Sequence, residues 1–138
     1  MHIKDVVKSL ILKYNTNNPK TIAQNLGIQI IIEPLGNVLG FYHTYKRIKV
    51  IHLNDYLEEY QHNFVLAHEL GHAILHPKLN TFFLKAHTYI PTHKIETQAN
   101  TFAVELLLSD KLLKKYSLPQ AAKVVGVPEH LVWLKNNF

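Results

Sequence analysis

The chain has 138 residues, of which 47% are hydrophobic and 18% are charged, and it contains no cysteine. This composition predicts a single globular domain over residues 1–138, and it excludes disulfide bridges and thiolate metal ligands. No apolar run approaches the ~20 residues of a membrane-spanning helix, and the first residues lack a signal-peptide pattern, so we expect a cytoplasmic protein without a membrane partner. The formal net charge is +5, but the basic residues are scattered, which favours solvated surfaces over a nucleic-acid interface.

The first third of the chain predicts two helices followed by three strands. Apolar residues at helical spacing from Ile3 to Ile11 indicate an amphipathic first helix. A second, shorter helix is capped by Asn18, opens at Pro19 and closes at Gly27. β-Branched residues between turn signals then predict short strands. These strands are expected at residues 28–33, 39–43 and 47–53.

The remainder of the chain is predicted to be mainly helical. We expect Asn54 to cap a long helix that runs to His76 and is stopped by Pro77. We interpret the segment Pro77–Thr92 as a loop of about sixteen residues. This loop is either an active-site lid or a segment whose aromatic side chains pack into the core. Further helices are expected at residues 93–108, 119–125 and 128–136. Together the elements predict an α+β fold, in which a small three-stranded sheet packs against the long helix and the helix at 93–108, with short helices at both ends.

The long helix contains the one motif that indicates a specific chemistry, His68-Glu69-Leu70-Gly71-His72. Residues four apart lie one turn apart on the same helix face, so His68 and His72 can bind one metal ion, and Glu69 beside them can take a proton from water. Apolar residues flank the motif on nearly every side, where two imidazoles and a carboxylate would be costly to bury without a partner. We therefore interpret the motif as a zinc site rather than as polar positions of a core.

A catalytic zinc ion usually has three protein ligands and a water molecule. Four acidic residues follow the motif: Glu96, Glu105, Asp110 and Glu129. Glu96 is the favoured third ligand because Ala99 and Ala103, on its face of the helix, allow close approach to the motif helix. Asn100, one turn on, can orient a ligating imidazole. His76 continues the histidine stripe, but a helix rises ~12 Å over eight residues, too far for all three histidines to share one ion. The alternative for Glu96 is an ordinary acid at a helix N-terminus.

The motif, followed by Glu96-Thr-Gln-Ala-Asn-Thr-Phe-Ala103, resembles the ImmA/IrrE metallopeptidases. The similarity extends back to the residues Thr21–Ile28 and so covers most of the chain. The resemblance implies a compact α+β, gluzincin-like domain, with zinc held by His68, His72 and Glu96. It also implies Glu69 as the catalytic base. One departure is Gln98, where many members carry a second acid, and it touches only the surroundings of the ligands.

The resemblance further implies a protein substrate, namely a helix-turn-helix repressor of a phage, a mobile element or a stress regulon that the enzyme inactivates by cleavage. Peptide hydrolysis also needs a donor that stabilises the tetrahedral oxyanion. Tyr89, His87 and His93 are candidates for this donor, and the sequence does not choose among them.

Two rival interpretations concern the C-terminal segment and the role of the metal. Residues 120–130 have the helix–Gly–turn–helix pattern of DNA-binding regulators, but residues 129–136 offer few side chains that read bases in the major groove. We therefore favour a packed helix pair, and direct nucleic-acid binding is not expected. The other rival is a protein-binding regulator with a structural zinc site. Glu69 argues against it, because a structural site needs no general base.

Overall fold

The computed structural model describes residues 2–86 and 92–137. The strands are β1 (Gln29–Glu33), β2 (Gly40–Tyr45) and β3 (Ile48–Asn54). The helices are α1 (Ile3–Tyr14), α2 (Pro19–Asn25), α3 (Glu59–Leu75), α4 (Thr81–Ala86), α5 (His93–Leu107), α6 (Asp110–Lys115), α7 (Leu118–Val125), a 3₁₀ turn (Glu129–Leu131) and α8 (Leu134–Asn137). The predicted α+β class with a three-stranded sheet is confirmed.

The sheet has the order β1-β3-β2, with β1 parallel and β2 antiparallel to β3. Lys46 and Arg47, which connect β2 to β3, both have positive φ, at 49° and 70°, as the tightest hairpin turns require. The inner face of the sheet carries fully buried side chains such as Tyr42 and Ile51. This face packs against α3, so the sheet supports the helix that contains the motif.

Helices α3 and α5 form the centre of the core. Gly71 in the middle of α3 allows their close approach, because a Cβ atom at this position would lie 3.1 Å from Cβ of Phe102 on α5. Phe102 is fully buried. A glycine in a helix interior costs ~1 kcal/mol relative to alanine, and here it brings the backbone of α3 against the helix that carries Glu96.

The start of α3 differs from the prediction. Asn54 is the last residue of β3, and the helix begins five residues later at Glu59. Glu58 is the N-cap, and Gln61 completes a capping box with it. The Asn54 side chain instead donates hydrogen bonds to the carbonyl groups of Gly36 and Val38, at 2.9 and 2.8 Å. Asn54, although its residue type often caps helices, therefore holds the connection between β1 and β2 in place.

The predicted loop at 77–92 also differs, because it contains helix α4. Asn80 caps this helix by accepting a hydrogen bond from the backbone N–H of Phe83. Phe82 and Phe83 are 48% and 49% exposed, so these two aromatic side chains do not plug the core. His87 and Tyr89, two of the predicted oxyanion donors, lie outside the described residues.

The C-terminal segment packs against the body of the protein. Gly126, which ends α7, has φ +82°, and a Cβ atom there would overlap the carbonyl oxygen of Tyr60 on α3. The predicted helix at 128–136 is a 3₁₀ turn followed by the short helix α8. Lys135 of α8 is buried and donates to Glu105 of α5 at 3.0 Å. Contacts with α3 and α5 therefore shape this segment.

Candidate metal centre

The structure brings His68 and His72 of α3 together with Glu96 of α5. The Nε2 atom of His68 lies 3.2 Å from Glu96 Oε2, and the Nε2 atom of His72 lies 2.8 Å from Glu96 Oε1. One donor atom from each residue lies within 4.8 Å of the other two. Within residues 2–86 and 92–137, this is the one group of three or more histidine and acidic side chains so arranged. Both histidines are buried, whereas the Glu96 side chain is 32% exposed.

The hydrogen bond of His68 determines which of its nitrogen atoms faces this centre. Asn100 Oδ1 lies 2.7 Å from His68 Nδ1. Because an amide oxygen only accepts hydrogen bonds, Nδ1 carries the proton and donates it. In the neutral imidazole, Nε2 then presents its lone pair towards Glu96. Asn100 therefore sets the tautomer that a metal ion requires.

A longer chain of hydrogen bonds orients His72 in the same way. His76 Nε2 lies 2.7 Å from Gln98 Oε1, and His76 Nδ1 lies 3.0 Å from His72 Nδ1. If His76 donates to the Gln98 oxygen, its Nδ1 accepts the proton of His72 Nδ1, and His72 Nε2 is left with its lone pair. Helical spacing excludes His76 as a third ligand but does not reveal this orienting role. The histidine stripe and the position of Gln98, two residues after Glu96, were the available signals.

This arrangement fits a bound cation. His72 Nε2 is fully buried and makes no hydrogen bond of acceptable geometry among the described residues, although Glu96 Oε1 lies 2.8 Å away. Two imidazole lone pairs and a carboxylate that face one another at such distances repel unless a positive charge lies between them. Two nitrogen donors and one oxygen donor also match the protein ligands of catalytic zinc sites, which keep a fourth position open.

The electrostatics prepare two of these three side chains, His72 and Glu96, to bind a metal. Burial lowers the pKa of His72, as does the nearby His68, so the neutral imidazole is favoured. Burial alone would raise the pKa of Glu96, but the adjacent imidazoles of His68 and His72 outweigh it and hold that pKa well below its usual range. Metal binding needs neutral histidines and an ionised carboxylate. The folded chain favours both forms at His72 and Glu96.

Glu69 lies next to the ligands and is almost completely buried, with 1% of its surface exposed. The hydroxyl group of Thr81, the first residue of α4, lies 3.3 Å from Glu69 Oε1. The same hydroxyl accepts a hydrogen bond from the backbone N–H of Tyr42 at 2.7 Å. Thr81 therefore connects Glu69 to strand β2. Thr81 is not among the predicted site residues, because it falls in the segment 77–92 that is predicted to be a loop.

The third predicted oxyanion donor, His93, is the first residue of α5 and is exposed. A cavity of about 690 Å³ opens beside the metal centre and extends towards the C-terminal segment. His68, Glu69, Glu96 and Asn100 line one end of this cavity. The centre is thus accessible to a ligand from one side.

Comparison with known proteins identifies the family. Residues 23–129 match the IrrE N-terminal-like domain, Peptidase_M78. The chain belongs to this family. It is 44% identical over 140 residues to "Uncharacterized immunity region protein 2" of Bacillus phage phi105, covering 97% of this chain and 89% of that protein. It is 38% identical over 135 residues to "Metallopeptidase ImmA" of Bacillus subtilis (strain 168), covering 91% of this chain and 79% of that protein.

These matches confirm the predicted membership of the ImmA/IrrE family and support a metallopeptidase. The three side chains that converge in the structure form a possible metal site of such an enzyme. Among the helices in the described part of the chain, none combines the length and apolar character needed to cross a lipid bilayer.

Proposed function

We propose that this protein is a zinc-dependent, site-specific endopeptidase that cleaves and inactivates a helix-turn-helix transcriptional repressor. The observation that carries the enzymatic part is the convergence of the buried Nε2 atom of His72 with His68 and Glu96, beside the carboxylate of Glu69. In a member of a metallopeptidase family, that arrangement is best explained as a catalytic centre.

In this proposal His68, His72 and Glu96 hold the zinc ion. When bound, zinc polarises the scissile carbonyl group and makes a water molecule easier to deprotonate. Glu69 accepts a proton from the water whose oxygen attacks the carbonyl carbon. When the carbon–nitrogen bond breaks, Glu69 delivers that proton to the leaving amine. Thr81 holds Glu69 in place, and Asn100 orients the ring of His68.

The substrate part of the proposal rests on the relatives. One of them is named as a protein of a phage immunity region, and another is named as a metallopeptidase. A repressor of a phage, a mobile element or a stress regulon is a cytoplasmic protein, so the proposal places the enzyme in the cytoplasm. Cleavage of such a repressor would release the genes that it silences.

Recognition of an extended substrate segment is proposed to involve α4 and the edge of β2. The backbone N–H of Tyr42 points away from β3 and donates a hydrogen bond to the Thr81 hydroxyl group. A substrate strand that added to this edge would therefore have to replace the Thr81 hydroxyl at Tyr42. Phe82 and Phe83, half-exposed on the same helix, offer apolar contacts to a protein partner.

Co-expression with the repressor encoded nearby tests the proposal. We expect one or two discrete repressor fragments, which disappear in Glu69→Gln and in the presence of a chelator. Casein serves as the non-specific control and should be cleaved far more slowly. Degradation of casein at the same rate would contradict specificity, and an intact repressor under all conditions would contradict the choice of substrate.

A further inference from the structure

The cavity beside the metal centre has a wall of distinct composition. Apart from the metal-centre residues, its lining consists mainly of hydrocarbon from α3, from the segment before it, and from the C-terminal segment. Its apolar lining includes Leu57, Phe64, Val65, Val127, Pro128 and Leu131. The volume of about 690 Å³ lies within the ~300–1,000 Å³ of typical ligand sites, so a large side chain can enter.

The position of the C-terminal wall is determined by a close backbone contact. Gly126 lies directly against Tyr60 of α3, where any Cβ atom would collide with the Tyr60 carbonyl oxygen. The next residue, Val127, is buried, and its N–H donates to the carbonyl of Ala122 at 2.9 Å. This wall is therefore part of the packed structure, and the cavity is formed before a ligand arrives.

The cavity is continuous with the candidate active site. The side chains of His68 and Glu96, two of the three proposed ligands, line it together with Glu69 and Asn100. A peptide whose scissile bond lies at the metal centre therefore has an adjacent side chain within reach of the cavity. The polar side chains that line the cavity away from the metal centre include Gln61, Lys123 and His130, of which Lys123 and His130 are largely exposed to solvent. Because the rest of the lining is mainly hydrocarbon, a polar side chain that entered would lose more hydration than it regained in hydrogen bonds, and an apolar side chain is favoured.

We propose that this cavity is the specificity pocket, and that the substrate carries a large apolar side chain, aromatic or long aliphatic, next to the scissile bond. This inference rests on the proposed function and adds the chemical class of the residue that is recognised. The helix–Gly–turn–helix pattern at residues 120–130 then serves to build a pocket wall, since Ala122, Gly126 and Val127 all line the cavity.

Binding of small hydroxamates to the zinc-loaded protein tests the pocket without any turnover. The compounds differ in one side chain only, which is benzyl, isobutyl, methyl or carboxyethyl, and their dissociation constants are measured by calorimetry. Burial of a large apolar side chain should make the benzyl and isobutyl compounds roughly 10- to 100-fold tighter than the methyl compound. Equal affinities across the series, or a preference for the carboxyethyl compound, would overturn the pocket and leave the metal centre standing. If no compound binds, the assignment of the metal centre is wrong, and the assignment of the pocket is wrong as well.

A pair of variants locates the effect. Leu131 is half-buried and lines the cavity, so Leu131→Ala should weaken benzyl binding about tenfold and change methyl binding by less than about twofold. Leu113→Ala, a half-buried leucine of α6 that also packs on the core, is the matched control and should change neither. The methyl compound reports whether each variant retains its centre. Equal weakening of both compounds in Leu131→Ala, or an effect of Leu113→Ala on benzyl binding, would overturn the assignment.

Discussion

Two regions of this protein bring two histidines and one glutamate together, and they do so in different ways. On α3 and α5, the donor atoms of His68, His72 and Glu96 converge to within 4.8 Å of one another. On the sheet, Glu33 Oε1 lies 2.7 Å from His52 Nδ1, and His52 Nε2 lies 2.9 Å from His43 Nε2. The side chains of this second group therefore form a linear hydrogen-bonded chain, from Glu33 through His52 to His43.

The difference follows from what His52 does with its two nitrogen atoms. Both are engaged, one by Glu33 and the other by His43, and the ring is stacked on Phe41 with centroids 4.3 Å apart. At the metal centre, the outer nitrogen atoms of His68 and His72 have partners of their own, Asn100 and His76, which leaves the inner ones to converge. The same residue types therefore converge in one region and not in the other, and the difference lies in which nitrogen atoms of the imidazoles have other hydrogen-bond partners.

The largest expected effect separates chemistry from metal binding within the α3–α5 region. Glu69→Gln removes the proposed base and keeps every proposed ligand, so hydrolysis of the repressor should fall by about 10²–10⁴-fold. Zinc content, measured by atomic spectroscopy, should remain at about one ion per chain. Wild-type turnover in this variant would show that Glu69 is not the base.

The next prediction compares the two histidine–glutamate groups directly. Glu96→Ala should deplete zinc from the purified protein, because it removes one of three ligands. Glu33→Ala, which removes the carboxylate of the sheet group, is the matched control and should retain zinc. Full occupancy in Glu96→Ala, with depletion in Glu105→Ala instead, would show that the wrong acid was chosen as the third ligand.

A smaller effect is expected from the side chains that orient the ligands. His76→Ala breaks the chain from Gln98 to His72, and zinc affinity should fall by about 10–100-fold, as measured by competition with a chelating dye. His43→Ala, the end of the chain on the sheet, provides the comparison and should leave zinc affinity unchanged. Equal losses in the two variants would mean that the effect comes from general destabilisation.

The smallest effect concerns Thr81. Thr81→Val keeps the shape of the side chain but removes the hydroxyl group beside Glu69, so kcat for repressor cleavage should fall about tenfold, as for the loss of one hydrogen bond. Thr81→Ser should restore kcat, and zinc content should be unchanged in both variants. Thr81 also occupies the edge of β2, so an increase in turnover of Thr81→Val would identify it as an obstacle to the substrate.

The ligand-bearing helices could be predicted because their signals are local. The spacing of His68 and His72 depends only on the helical repeat, and this pair lies on α3 as the motif required. Gly71 indicated close packing, and it contacts Phe102. The family was likewise recognised from residues near one another in the chain, and the match over residues 23–129 confirms it.

Other structural features could not be predicted, because the local sequence was equally compatible with a different structure or too short to indicate one. Asn54 is a favoured capping residue, but its side chain found two carbonyl groups at residues 36 and 38 instead of a helix start. Helix α4 has only six residues, too short to show a hydrophobic period. The helix predicted at 128–136 is a 3₁₀ turn and the short helix α8, and Lys135 of α8 pairs with Glu105, thirty residues away.

Features that depend on neighbours along the chain could be predicted, namely the helix with its two histidines and the three strands. The composition, which lacks cysteine, likewise leaves only nitrogen and oxygen donors for a metal. The orientation and burial of those donors depend instead on tertiary contacts. The contacts of His76 with Gln98, of Thr81 with Tyr42, and of Gly126 with Tyr60 join residues that are 22, 39 and 66 positions apart. Such contacts form only when separate elements pack, because no local repeat of a helix or strand specifies the distance between them.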